Sequence, residues 1–347
     1  MSPVKAYAAT SPTAPLAPFT LDRRAVGPQD VQIDIAYCGI CHSDIHQVRD
    51  EWGGAAYPMV PGHEIVGRVS AVGTGVTRFQ VGDTVGVGCM VDSCRTCPSC
   101  RRHLEQFCHQ GAAFTYNSTE MDRTTRTYGG YSQQVVVTEA FVVKVSPRLD
   151  LAGAAPLLCA GITTYSPLRR FKTRPGDRVG VVGLGGLGHM AVKLAAAMGA
   201  EVTMLSTSPA KEADARKLGA HHFGLTSDKA TFKQLAGSFD LILDTISAPH
   251  DYNKYLGLLR LEGAMVLLGV PPEPTPVAAG SLIFGHKTLT GSLIGGIQET
   301  QEMLDFCAEH GIVSDIELIP VHQVNEAYER MLRNDVRYRF VLDMKTL

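Results

Sequence analysis

The chain changes its hydrophobic rhythm near residue 150. Before that point, short stretches such as "VQIDIAY" (31–37) and "YSQQVVV" (131–137) alternate apolar and polar residues. Gly or Pro interrupts them roughly every eight to twelve positions, and this texture predicts an antiparallel β domain with one face of each strand on a core. From about 151, continuous apolar runs take over. "DRVGVVGLGGLGHMAVKLAAAMGAEVTMLST" (177–207) reads as buried strand, glycine turn, helix and second strand, with Met190, Leu194 and Met198 at four-residue spacing on one helical face. "FDLILDTIS" (239–247) and "GAMVLLGV" (263–270) add two apolar strands, which extends the βαβ unit to a doubly wound parallel sheet. The tail returns to helix ("ETQEMLDFCAEH"), strand, helix ("VNEAYERMLR") and a last strand ("YRFVLD"), and its pattern fits either domain. "PPEPTP" (271–276) predicts a surface loop.

Composition narrows the class. With 347 residues and 45% hydrophobic side chains the chain can bury the cores of two ordinary domains. A net charge of −2 argues against a nucleic-acid partner and leaves small molecules as the expected ones. No basic segment followed by an apolar one opens the chain, and no apolar run reaches the roughly 18 residues of a membrane span, so a cytoplasmic location is expected. Nine cysteines in a chain of this size point to a reducing compartment with metal-bound and free thiols. Cys38 and Cys307 read as small buried residues.

The glycine turn carries the first chemistry. In Gly183, Leu184, Gly185, Gly186, Leu187 and Gly188, three glycines fit a dinucleotide fingerprint: Gly183 for the tight turn, Gly185 for approach to a pyrophosphate, Gly188 for close helix packing. The helix that follows offers free N–H groups to phosphates. An acidic residue about 20 positions on would hold the ribose 2′-hydroxyl of NAD. Here the second strand ends in Ser206, Thr207 and Ser208, with Lys211 following, so hydroxyls and an ammonium make a 2′-phosphate site and favour NADP.

Two cysteine and histidine sets suit metals. Cys94, Cys97, Cys100 and Cys108, in a lobe at about 89–110, can wrap one tetrahedral Zn²⁺ and leave no position for substrate. This lobe is expected to stabilise the fold. An open site, with three protein ligands and one free position, could draw on Cys41, His42, His63, Glu64 and Cys159, but spacing does not choose between Cys159 and Cys89.

A resemblance makes that choice. The stretches "CGICHSDIH", "YPMVPGHEIVGRVSAVG", the four-cysteine lobe, "GGYSQQ", "PLLCAGITTYSPL", "VGLGGLGHMAVKLA" and "YERMLRNDVRYRFVLD" resemble the zinc-dependent medium-chain alcohol dehydrogenases, in particular the cinnamyl alcohol dehydrogenase branch with its bacterial aldehyde reductases. The resemblance implies an α/β chain with a GroES-like antiparallel β catalytic domain (1–150 and 291–347) and an inserted Rossmann NADP-binding domain (151–290). It implies Cys41, His63 and Cys159 as catalytic zinc ligands, Glu64 as a reserve ligand, and Asp44 as the acid that fixes the His63 tautomer. Ser43 and His46 match the proton relay, Arg339 an arginine that reaches the cofactor phosphates, and Thr163 a contact to the nicotinamide end. Trp52, Leu293 and Ile294 are candidate lining for the substrate pocket. His189, His221 and His222 read as non-functional.

The implied activity is reversible hydride transfer between NADP(H) and a zinc-bound primary alcohol or aldehyde of broad aromatic and aliphatic range, with two zinc ions per chain and a homodimer joined through "KTLTGSLI". Three other readings compete. A polyol dehydrogenase acting on secondary alcohols commonly recruits a glutamate where this chain has Cys159. A cofactor-binding protein without catalysis has no need of the three ligands. A zinc-ribbon nucleic-acid binder conflicts with the near-neutral charge and the βαβ units.

Overall fold

The computed structural model describes residues 2–347, which form two compact units: 2–162 with Gly295–Leu347, and Thr163–Ile294.

The first unit is built on the strand Asp30–Gly39, whose Val31, Ile33 and Ile35 are buried while Asp34 faces out, as the alternation predicts. It pairs antiparallel with Ile65–Val72 on one side and with Arg339–Asp343 on the other, and Gln134–Thr138 also pairs with it. Thr84–Val87 and Val143–Lys144 extend the sheet beyond Ile65–Val72, and Ile316–Pro320 lies parallel to Arg339–Asp343 at the far edge. The tail therefore completes this unit. "RFVL" is buried throughout because its strand is flanked on both sides.

The second unit is a six-stranded parallel sheet in the order His222–Leu225, Glu201–Ser206, Arg178–Val182, Phe239–Asp244, Leu259–Leu267, Thr288–Gly291. The order reverses between Arg178–Val182 and Phe239–Asp244, and in such sheets the crevice at that switch point is where ligands bind. The helix Gly188–Ala197 starts there, with Met190 and Leu194 fully buried and Met198 only half-buried just beyond its end. Phe239, Ile242, Tyr252, Tyr255 and Leu256 pack one face of the sheet. The 271–276 segment is a loop.

The unit boundaries, 162/163 and 294/295, lie later along the chain than the 150/151 and 290/291 positions that the resemblance implies. Leu151–Ala154 and Ala155–Leu158 have the apolar look of a new domain, but they pack on strands Asp30–Gly39, Ile65–Val72 and Thr84–Val87 of the first unit. Among the described residues no single helix is long and apolar enough to cross a membrane.

Candidate active site and metal centres

Cys41 caps the short helix His42–Val48, and the Asp44 carboxylate turns back to accept the Cys41 backbone N–H at 2.9 Å. His63 and Glu64 immediately precede the strand Ile65–Val72, and Cys159 sits where Ala155–Leu158 turns into the helix Ala160–Arg170. These elements bring one potential ligand atom from each of Cys41, His63, Glu64 and Cys159 within 4.8 Å of one another, all buried. Cys41 Sγ and Cys159 Sγ are 3.9 Å apart. Two sulfurs bound to one tetrahedral zinc at 2.3 Å would stand about 3.8 Å apart, so the pair fits that metal. Their S–H contact holds Cys41 well below and Cys159 well above the usual thiol range. Cys89, the alternative left open by spacing, lies outside this group with its Sγ 3.9 Å from the Leu158 carbonyl.

Asp44 is fully buried and its two oxygens take four donors. Oδ1 faces His63 Nδ1 at 3.3 Å and accepts the Gly62 N–H at 3.2 Å; Oδ2 accepts the Cys41 N–H and the Tyr131 hydroxyl at 3.1 Å. A proton on Nδ1 leaves Nε2 as the ligating nitrogen, the role expected of Asp44. Burial alone would lower the His63 pKa, but the charges of Cys89 and Asp44 and the hydrogen bond to Asp44 raise it well above the ordinary value. Tyr116 stacks on the His63 ring at 5.8 Å.

Glu64 binds Arg339 through Oε1, whereas its Oε2 is buried without a hydrogen-bond partner. Burial pushes its carboxyl up to about 7 against the pull of Arg339. An orphaned buried carboxylate oxygen beside two thiols is the chemistry of a reserve metal ligand. The structure seats Arg339 on this carboxylate, only 3% exposed, with its own Nε unpartnered. Ser43 Oγ lies 3.6 Å from Cys41 Sγ. His46, three residues on, binds Glu51 through Nδ1 and stacks on Trp52 at 4.9 Å. Trp52 is 52% exposed, which removes a core-packing role.

Cys94, Cys97, Cys100 and Cys108 form the second group within 4.8 Å. Backbone N–H groups aim at its sulfurs: Cys94 to Cys108 at 3.5 Å, Cys97 to Cys94 at 3.4 Å, His109 to Cys97 at 3.4 Å. Such donors favour thiolates, and those from Thr96 and Cys97 bring Cys94 down to about 6. No carboxylate or imidazole joins the four sulfurs, so the group suits a closed structural zinc.

In the second unit Gly183 adopts φ +90°. A Cβ on Gly188 would sit 1.9 Å from the Gly183 carbonyl, and one on Gly185 would enter open space. That open cradle above a helix N-terminus fits a pyrophosphate. Leu184, Gly186 and Leu187 complete the turn, and the Lys211 ammonium reaches the Leu184 carbonyl at 2.7 Å. Burial lowers the Lys211 pKa. Ser206 ends its strand and accepts the Ser208 N–H at 3.2 Å, Thr207 is exposed, and the Ser208 hydroxyl caps no helix. Of this cluster, Lys211 is the residue that contacts the turn, while Ser206 and Ser208 bond to each other at the end of the strand. Thr163 is buried, Leu293 is 48% exposed and Ile294 is buried. His221 accepts the Val202 N–H, His222 pairs with Glu201, and His189 is buried in its helix.

Residues 27–147 match the family model "Alcohol dehydrogenase GroES-like domain" and residues 186–309 match "Zinc-binding dehydrogenase". NADP-dependent alcohol dehydrogenase C 1 of Mycolicibacterium smegmatis is 59% identical over 100% of this chain and 99% of its own. The chain belongs to the zinc-dependent medium-chain alcohol dehydrogenases. Within them it falls in the cinnamyl alcohol dehydrogenase branch. Aldehyde reductase YahK of Escherichia coli is 54% identical over 99% of both chains. A Sorghum bicolor cinnamyl alcohol dehydrogenase structure superposes with a TM-score of 0.96 at 47% identity, covering 99% of this chain and 98% of that one. For this dehydrogenase, sequence reasoning missed Tyr131 and Tyr116 around Asp44, and Glu51 on His46. Tyr131 lies in the matched "GGYSQQ" stretch, which was its one available signal.

Proposed function

We propose that this zinc-dependent, NADP(H)-linked alcohol dehydrogenase interconverts primary alcohols and aldehydes across an aromatic and aliphatic range. The observation that carries this reading is the buried Cys41, His63 and Cys159 set with a hydroxyl, Ser43, beside it. When bound, zinc supplies Lewis acidity that lowers an alcohol's pKa and polarises a carbonyl, and NADP(H) supplies or takes the hydride. The residues do the rest. Asp44 keeps the His63 proton on Nδ1. Ser43 accepts the alcohol's proton as its own hydroxyl proton moves on, and His46, its imidazole held by Glu51, delivers a proton to solvent. Ser206, Thr207, Ser208 and Lys211 hold the 2′-phosphate, the Gly183–Gly188 turn the pyrophosphate, and Thr163 the nicotinamide end. Arg339, seated on Glu64 with its Nε unpartnered, is the phosphate-contact candidate that the resemblance supplies. Trp52 in the first unit and Leu293 and Ile294 in the second remain the substrate-contact candidates of this reading. The four-cysteine zinc is structural.

The edge strand Thr288–Gly291, with Ile283 and Phe284 exposed at 66% and 87% nearby, supports a homodimer joined through the second unit. Nine cysteines, none paired in a disulfide among the described residues, support a reducing, cytoplasmic setting.

Initial rates of aldehyde reduction with NADPH and NADH, on the enzyme and on Ser206→Asp, test the cofactor and activity together. NADPH preference in the enzyme, shifted toward NADH by about tenfold or more in the variant, is expected from losing one charge-assisted phosphate contact and gaining a repulsive carboxylate. Turnover with NADH alone, or none from zinc-replete enzyme, would contradict the reading.

A further inference from the structure

The loop after the strand Phe239–Asp244 walls the glycine turn. Thr245 Oγ1 donates to the Val182 carbonyl at 2.8 Å or the Gly183 carbonyl at 3.0 Å, and Ile246 packs where a Gly183 side chain would be. The next residues, Ser247, Ala248 and Pro249, are exposed. What closes this loop is His250, which folds back to its start. His250 Nε2 meets Asp244 Oδ2 at 2.8 Å, and Nδ1 meets the Ala248 carbonyl at 2.8 Å. Both partners are acceptors, so both ring nitrogens must carry protons for both bonds to form. Asp244 is 2% exposed at its side chain and its other oxygen accepts the Ile246 N–H at 3.2 Å, so one carboxylate ties the histidine to the residue that packs on Gly183.

The surroundings favour the cation. The Tyr252 and Tyr255 rings of the helix Tyr252–Leu256 meet the imidazole edge-on at 4.9 and 5.6 Å. The charged and titratable groups around it are Asp244 on the strand, Asp251 next in chain, and those two tyrosines.

We propose that His250, held as an imidazolium between Asp244 and the Ala248 carbonyl, is a positioning residue for NADP(H): it clamps loop 244–250 against the glycine turn without touching the cofactor. Burial alone would lower its pKa, but the Asp244 hydrogen bond, the Ala248 carbonyl and the Asp244 charge raise it above the ordinary 6.5. The clamp is therefore complete at and below the ordinary imidazole value. It is lost as pH rises through the raised one, and cofactor affinity falls with it.

This inference rests on the NADP(H) reading, and one titration separates the two. NADPH binding to full-length, zinc-replete enzyme is followed by fluorescence from pH 6 to 9, with His250→Gln and Asp244→Asn in parallel. Wild-type binding itself tests the reading. The inference expects dissociation constants weaker in both variants by on the order of tenfold near neutrality, and a kcat at saturating NADPH within about twofold of wild type. It also expects the alkaline loss of affinity to flatten in His250→Gln. NMR of the wild-type imidazole, which needs no variant to fold, should place its titration above 6.5. An imidazole titrating at or below that value, a variant profile parallel to the wild type, or equal dissociation constants would overturn it.

Discussion

The two metal groups use the same element in opposite ways. In the Cys94–Cys108 lobe the four ligands come from 15 consecutive positions, and backbone N–H groups and the Ser93 and Thr96 hydroxyls face the sulfurs. In the other group Cys41 and Cys159 lie 118 residues apart in sequence, and Asp44, Glu64, Arg339, Tyr131 and Tyr116 crowd around them. A closed set of four thiolates saturates zinc and returns folding energy. A three-ligand set with a carboxylate in reserve leaves a position for chemistry, and it needs an outer layer of hydrogen bonds to keep a buried histidine, glutamate and arginine in register. In the proposed assignment, ligand locality marks the structural site, and the layer of polar partners marks the reactive one.

The comparison can be broken from the reactive side first. Cys159→Ser should cut turnover by more than about 1,000-fold, since several kcal/mol of Lewis-acid stabilisation goes with the metal, while the melting temperature moves little. Zinc analysis of the variant should show one ion fewer per chain. Next, Asp44→Asn leaves the fold's shape but weakens the hold on His63, and catalytic zinc affinity measured by competition with a chelator should fall about 10- to 100-fold. The smallest effect belongs to Cys89→Ser. Because Cys89 lies outside the ligand group, zinc content should not change and kcat/KM should stay within about twofold. A Cys89 variant that loses zinc would return the choice of third ligand to the open state in which spacing left it.

That choice shows what local sequence carries. The glycine turn and its strands were legible because a dinucleotide site is built within one βαβ unit, and the four-cysteine lobe because its ligands are neighbours in chain. Cys159 was not legible from spacing: its apposition to Cys41 depends on Ala155–Leu158 packing under three strands that are remote in sequence. The same apolar segment disguised the domain boundary. By pattern alone the tail strand Arg339–Asp343 fitted either unit; the resemblance gave it to the first, where it pairs with Asp30–Gly39. Glu51 on His46 escaped because the two meet only after the helix His42–Val48 ends and the chain turns back. Resemblance, by contrast, pointed to Asp44 and Glu64 before any geometry was available, and the structure finds both as buried carboxylates, Asp44 facing His63 and Glu64 bound to Arg339.

The division of labour between the two groups is tested most directly by Cys100→Ser, read for zinc content, thermal unfolding and turnover of the folded fraction at low temperature. The account predicts one zinc per chain instead of two, a loss of several kcal/mol in stability and near-normal turnover per folded chain. A variant as stable as the parent but inactive would contradict it and move the chemistry into the four-cysteine lobe.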